Sequence, residues 1–436
     1  MKTLLRISCL IVSSTLVLNA QSDDLSTVIA QKATAVNDEV IELRRHFHQY
    51  PELSNREFNT AKRIAEECTK LGLVVETGIA ITGVVAVLET GRPGPTIGLR
   101  ADIDGLPVTE RTPVDFASKE RTTYLGEDVG IMHACGHDTH IAMLLGTAKI
   151  LLEMKDQLIG KVVFVFQPAE EGAPIGEEGG AELMVKEGLI DKYGIDVFFG
   201  QHISAGQPVG HISYKFGGIM AAADAFTITV KGKQTHGSRP WSGVDPITVS
   251  AQIIQGLNNI VSRQTELTRE AAVISVGKIK GGFRNNIIPE EVEMIGTIRT
   301  LDTDMQKIIH EKIRKTATFI AESAGATAEV DIRIGYPVTH NDIDLTRQLV
   351  PSLMKVAGDD NVHLIPAVTG AEDFSFFARE VPGLYFFTGG KPLDVPMTEA
   401  APHHTPDFYI DESGLVTGVK AMTQITVDYM HSFEAQ

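Results

Sequence analysis

Apolar positions along this chain follow two rhythms. Residues 58–72 and 139–154 repeat them at helical spacing, while short runs rich in Val, Ile and Phe at 83–89, 96–100, 161–166 and 195–200 read as strands. The alternation predicts an α/β sandwich with a largely parallel central sheet. Asp102, Gln167 and His202 each fall just beyond the C-terminal end of a predicted strand, where open α/β sheets place their chemistry.

From about 213 to 335 the rhythm changes. Strand 224–231, helix 245–264, strands 271–279 and 292–300, helix 304–324 and strand 327–334 spell β-α-β-β-α-β, a ferredoxin-like unit inserted into the first domain. The expected plan is a catalytic, metal-binding domain over 21–212 and 336–436, interrupted by a second domain over 213–335. No internal repeat is visible, and GRPGP at 91–95 reads as a turn before a strand.

Residues 1–20 follow neither rhythm. Lys2 and Arg6 precede an apolar run from Ile7 to Leu18, and Ala20 stands before a polar, acidic stretch. This is the layout of a secretory leader cut after Ala20, with Leu18 larger than the small residue favoured there. The run falls short of the roughly 20 apolar residues that span a bilayer. Cys9 precedes most of the run, which argues against lipid anchoring. The expectation is a periplasmic or secreted protein with no membrane span after cleavage.

A chain of 436 residues with 43% hydrophobic content exceeds one compact core and fits two domains. Its net charge of −17 argues against nucleic acid or an anionic membrane as partner. Cys9, Cys68 and Cys135 are too few for a disulfide framework and leave Cys135 available to metal.

The chemistry concentrates in HACGHDTH, His133 to His140, where a thiol, three imidazoles and a carboxylate precede a predicted helix. Thiolate and neutral imidazole are good donors to Zn-like ions, and Cys135 and His137 converge if the backbone turns at Gly136. QPAEEG at 167–172, QH at 201–202 and PHHTPDF at 402–408 each add a donor near the end of an apolar run. Cys135, His137, Glu171, His202 and a histidine from 403–404 are the right number to hold two divalent ions sharing a hydroxide. Residue chemistry does not choose between His403 and His404. Of the adjacent carboxylates, Glu170 is assigned as general base and Glu171 as ligand. His133, Asp138 and His140 read as supports for ligands or as helix-start residues. The competing readings are a buried, inert Cys135 and a solvated acidic loop at 170–171.

LRADIDGLP (99–107), MHACGHDTHIAMLLG, QPAEEG, GQH, THGSRPWSGVDPI, NNIIPEEVEMIGTIRT, GAEDFS (370–375) and HHTPDFYIDE resemble, in order, the signatures of the N-acyl-amino-acid amidohydrolases. This is the metallopeptidase-like family of hippurate hydrolases and plant auxin-conjugate hydrolases. The likeness runs from about residue 35 to the C-terminus. It implies a two-metal amide hydrolase whose catalytic domain is interrupted by a lid or dimerisation domain, and a homodimer. It implies Cys135, His137, Glu171, His202 and His404 as ligands and Glu170 as base, His404 standing two before Pro406. His236 of THGSRP resembles a lid histidine that stabilises the tetrahedral oxyanion, often in the partner subunit's centre, and Asn286 resembles a lid residue that binds substrate. Without the resemblance His236 reads as a turn residue between glycines. Two departures are Ala371, where the family usually has Gly, and the leader itself.

The expected reaction is attack of water on the amide of an N-acyl amino acid, releasing a carboxylic acid and a free amino acid. Zinc suits the donors, with manganese, nickel or cobalt allowed. The alternative is a dipeptidase or carboxypeptidase on the same machinery. A silent binding protein for metal or peptide would keep the ligands and lose the base, whereas Glu170 is present.

Overall fold

A computed structural model describes residues 4–434, with side chains from 25 to 433. The leader expected over 1–20 lies outside the residues whose side chains are described. The chain divides into two compact units: residues 1–216, 341–365 and 377–436 form the first, and 217–340 with 366–376 form the second.

The first unit is built on an eight-stranded sheet ordered Val74–Ile79, Gly83–Glu89, Lys161–Gln167, Thr96–Asp102, Val197–Pro208, Gly383–Lys391, Ile212–Tyr214 and Val362–Leu364. The four strands from Lys161–Gln167 to Gly383–Lys391 are mutually parallel. Antiparallel pairing is confined to the flanks. Continuous apolar runs such as KVVFVFQ suit parallel strands covered on both faces. Val162, Phe164 and Phe166 point with period two into a cluster shared with Val36 and Val40 of the helix Leu4–Gln49, Ile141 and Leu145 of His137–Glu153, and Val419 of Leu415–Glu434. Expected elements recur with shifted ends. The run expected to stop at 200 continues to Pro208, because parallel pairing with Gly383–Lys391 persists past His202. His202 therefore lies within a strand, while Asp102 and Gln167 end theirs.

The second unit carries a four-stranded antiparallel sheet ordered Ala272–Gly281, Glu291–Thr300, Ala222–Lys231 and Thr327–Tyr336. Helices Pro246–Gln264 and Thr303–Ser323 pack on it through Val249, Ile253, Leu257, Ile309 and Ile313. Both helices start where local chemistry directs: Asp245 accepts from Ile247 N, and Asp302 from Asp304 N and Met305 N. The unit runs from 217 to 340 rather than 213 to 335, and takes in 366–376 because Val368 N bonds Ile219 O and Ala221 N bonds Gly370 O. No helix among the described residues is long and apolar enough to cross a membrane.

Candidate metal centre

The acidic loop is set by the sheet. After Thr96–Asp102, Ile103 N still bonds Gln167 O, so Asp104 arrives beside the turn that follows Lys161–Gln167. There Asp104 Oδ1 accepts from Glu170 N at 3.1 Å, and its Oδ2 accepts from Glu171 N at 3.0 Å and Ser54 Oγ at 2.7 Å. One buried carboxylate thus fixes the backbone of both glutamates. Its pKa is pushed up by burial, but His137 and these donors outweigh that and hold it below the usual carboxylate range.

The thiol and imidazoles come from the start of His137–Glu153 and two more distant segments. Gly136 precedes this helix with φ +98°, and a Cβ there would sit 2.4 Å from Ile203 Cγ2, so only glycine lets the chain turn between Cys135 and His137. Cys135 Sγ lies 3.3 Å from His202 Nε2 and 3.3 Å from His404 Nε2. His404 Nε2 is 3.2 Å from Glu171 Oε1 but out of hydrogen-bond alignment, so lone pairs face a common space. His404 is held there with φ +63° and a backbone bond to Ala134 O.

His137 and His202 are each aimed by the other ring nitrogen. His137 Nδ1 donates to Asp104 O at 2.8 Å, which leaves a buried, unpaired Nε2 3.8 Å from Glu170 Oε2 and 3.9 Å from Glu171 Oε1. His202 Nδ1 donates to Ile203 O at 2.6 Å, leaving Nε2 toward the thiol. Burial holds His202 neutral, with a pKa well below the ordinary value, as a ligand requires.

Two neighbouring histidines are differently engaged. His403 Nδ1 donates to Cys135 O and its Nε2 accepts from Ala205 N, so neither nitrogen is available. His140 Nδ1 pairs with Asp102 Oδ1 and its Nε2 accepts from Ile203 N. Both lie close enough to other donors to suggest ligation, but their occupied nitrogens exclude it.

Residues 98–428 match peptidase family M20/M25/M40. The chain is 40% identical to Thermostable carboxypeptidase 1 of Saccharolobus solfataricus across 93% of this chain and 99% of that one. It is 36% identical to the N-acetyl-L-cysteine deacetylase of Bacillus subtilis, across 88% and 86% of the two chains. The fold matches a dinuclear metal-binding peptidase of Bacillus subtilis with a TM-score of 0.76 at 32% identity, covering 91% of this chain and 99% of that one. The chain belongs to peptidase family M20/M25/M40.

As an M20 hydrolase the protein is metal-dependent, and its donor set fits a cation on physical grounds. Cys135, Glu171 and His404 place ligand atoms within 4.8 Å of one another, as do His137, Glu170 and Glu171. Without a cation, burial and then Glu171, Glu170 and Asp102 push the Cys135 thiol far above its ordinary pKa. A divalent ion removes that conflict, because it stabilises the thiolate directly.

Behind the donors, Asp138 Oδ2 accepts from Arg44 Nε at 2.8 Å and His48 Nδ1 at 2.9 Å, tying His137–Glu153 to Leu4–Gln49. His133 is buried with neither nitrogen hydrogen-bonded, and burial lowers its pKa to about 4. In the second unit, His236 and Asn286 are neighbours: His236 pairs with Ile287 across a short ladder, and Gly237 N bonds Asn286 O at 2.8 Å. Both side chains are exposed. His236 Nδ1 accepts from Ser238 N, which puts the proton of the neutral ring on Nε2. Asp104 is not recognisable as a site residue from donor type and spacing alone. Its signal is the D-x-D at 102–104, just beyond the predicted strand 96–100.

Proposed function

We propose that this M20 hydrolase cleaves the amide bond of N-acyl amino acids, of hippurate-like or other acyl type, to a carboxylic acid and a free amino acid. The observation that carries the reading is the unpaired Nε2 of buried His137, facing Glu170 and Glu171 beside the Cys135–His202–His404 cluster. Cys135, His137, Glu171, His202 and His404 would hold two divalent ions, with Cys135 and Glu171 each close to more than one of the other donors. When bound, such ions would supply Lewis acidity toward a water and the scissile carbonyl.

The chain's own groups do the rest. Glu170 takes a proton from the attacking water and returns it to the leaving nitrogen. His236, with Nε2–H free, donates to the developing oxyanion, and Asn286 binds the substrate. These two act from the second unit, read as a lid through which a homodimer forms. Zinc suits thiolate and imidazole, with manganese, nickel or cobalt as alternatives. Residues 1–20 are read as a leader directing the protein to the periplasm or outside the cell.

The competing reading is a dipeptidase or carboxypeptidase, favoured by the relative named as a carboxypeptidase. A panel of N-acetyl, N-benzoyl and long-chain N-acyl amino acids and dipeptides, offered to metal-reconstituted protein, separates the two. Faster turnover of the acyl amino acids is expected; dipeptides turned over faster would replace the proposal, and inactivity with metal bound would point to a binding protein.

A further inference from the structure

Glu57 stands at the N-cap of the helix Phe58–Lys70, a position where Ser, Thr, Asp or Asn caps the helix, and its longer side chain makes no such bond. It is fully buried and reaches across to two other segments. Its Oε2 accepts from Thr82 Oγ1 at 2.6 Å, and its Oε1 accepts from Ala169 N at 2.9 Å. Ala169 is the residue before Glu170 and sits at φ +52°, a region that residues with a Cβ rarely adopt. Asn55, also buried, is at φ +60°, and Ala80 and Ile81, just before Thr82, are at φ +47° and +79°. The Asn55 Nδ2 donates to Glu177 Oε2 and Glu178 O, in the loop that continues from Glu171. Left-handed backbone in three segments that buried side chains join is how a site is held to one geometry.

We propose that Glu57 is a positioning residue for Glu170: latched by Thr82, its carboxyl holds the Ala169 N–H in the left-handed turn from which the Glu170 side chain is directed toward His137. The inference rests on the hydrolase reading above, with Glu170 as base. Asp104 fixes the N–H groups of Glu170 and Glu171 from one side of the turn. Glu57 fixes the residue before them, so the base is aimed by two carboxyl groups acting on consecutive peptide units. Burial, then Asp104, pushes Glu57 up to about 8. Below that pH it is the neutral acid, whose Oε1 accepts from Ala169 N while the protonated oxygen shares its hydrogen with Thr82 Oγ1; a glutamine carboxamide reproduces this, its oxygen accepting from Ala169 N and its NH2 donating to Thr82 Oγ1.

The test compares Glu57→Ala, Glu57→Gln and Glu170→Gln as metal-loaded full-length proteins, measuring kcat, KM, metal stoichiometry and the crystal structure of the alanine variant. Glu57→Ala is expected to lose about tenfold to a hundredfold in kcat, the scale of a base displaced by an ångström or less. KM and metal content should stay within about twofold, residue 169 should leave the left-handed region, and Glu57→Gln should recover most of the loss. An unchanged kcat overturns the proposal. So does a metal content that falls with activity, a residue 169 that stays left-handed, or a glutamine variant as slow as alanine. If Glu57→Ala does not fold, Thr82→Val replaces it: a severalfold drop in kcat at constant metal supports the latch, and an unchanged kcat sinks it. Should Glu170→Gln itself keep full turnover, the base assignment falls and this role with it; if only Glu57→Ala keeps turnover, the base assignment stands and the role of Glu57 alone is lost.

Discussion

Buried charge is handled in opposite ways around Asp224 of the second unit and around the donor cluster of the first. In the second, Asp224 accepts from Gln306 Nε2 at 2.8 Å, His310 Nε2 at 2.7 Å and Gly335 N at 3.1 Å, beneath a helix whose apolar residues follow plain periodicity. In the first, Asp102, Asp104, Asp138, His133, His137 and His140 crowd into one neighbourhood, with ring and carboxylate atoms left unpaired and His404 and Ala169 at positive φ. A buried acid that finds all its partners in the chain is a fastening. A buried set whose lone pairs face one another is incomplete without a cation, and that is the physical sign of the site.

If the contrast is sound, breaking each side should have different consequences. The largest effect should come from Cys135→Ser, which weakens the donor shared by His202 and His404: metal content and turnover should fall together, and unchanged values of both would make the thiol mere packing. His236→Ala should lower kcat by about a hundredfold or more with metal content intact, the usual loss for an oxyanion donor. Normal turnover would return His236 to a turn residue.

Asp224→Ala should act on stability alone. Leaving Gln306 and the Gly335 N–H unpaired should cost about 1–3 kcal/mol in denaturant unfolding, while metal content is unchanged. Loss of metal in that variant would erase the distinction between the units.

The smallest effect concerns pH. Burial opposes protonation of His48, but Asp138 and then the Asp138 and Glu110 hydrogen bonds outweigh it and raise its pKa. A raised folded pKa gives stability that is fully present below the unfolded value of about 6.5 and is lost as pH rises through the folded pKa. The stability gap between wild type and His48→Gln should therefore narrow from about pH 6.5 upward. A gap that widens would mean that His48 is held neutral.

The same contrast explains what the sequence made legible. Helix Pro246–Gln264 and its strands follow periodicity and an Asp cap, rules that act within a few residues, and their ends were readable to within one or two positions. Cys135, His137 and Glu171 were visible as donor types. The choice between His403 and His404 was not, because it depends on backbone groups, Ala205 N and Cys135 O, brought to His403 by distant strands and turns. Asp104 and Glu57 escaped for the same reason: their work is done on N–H groups 66 and 112 residues away in sequence.

The central claim is that the first unit's incomplete cluster is a hydrolytic metal centre with Glu170 as base and Glu171 as ligand. Metal stoichiometry and turnover, measured side by side on Glu170→Gln and Glu171→Gln, test it most directly. Glu170→Gln should keep two ions per chain while turnover falls by about 10²- to 10⁴-fold, and Glu171→Gln should lose metal. Metal lost from Glu170→Gln and kept by Glu171→Gln would reverse the assignment; metal and activity kept by both would contradict the account.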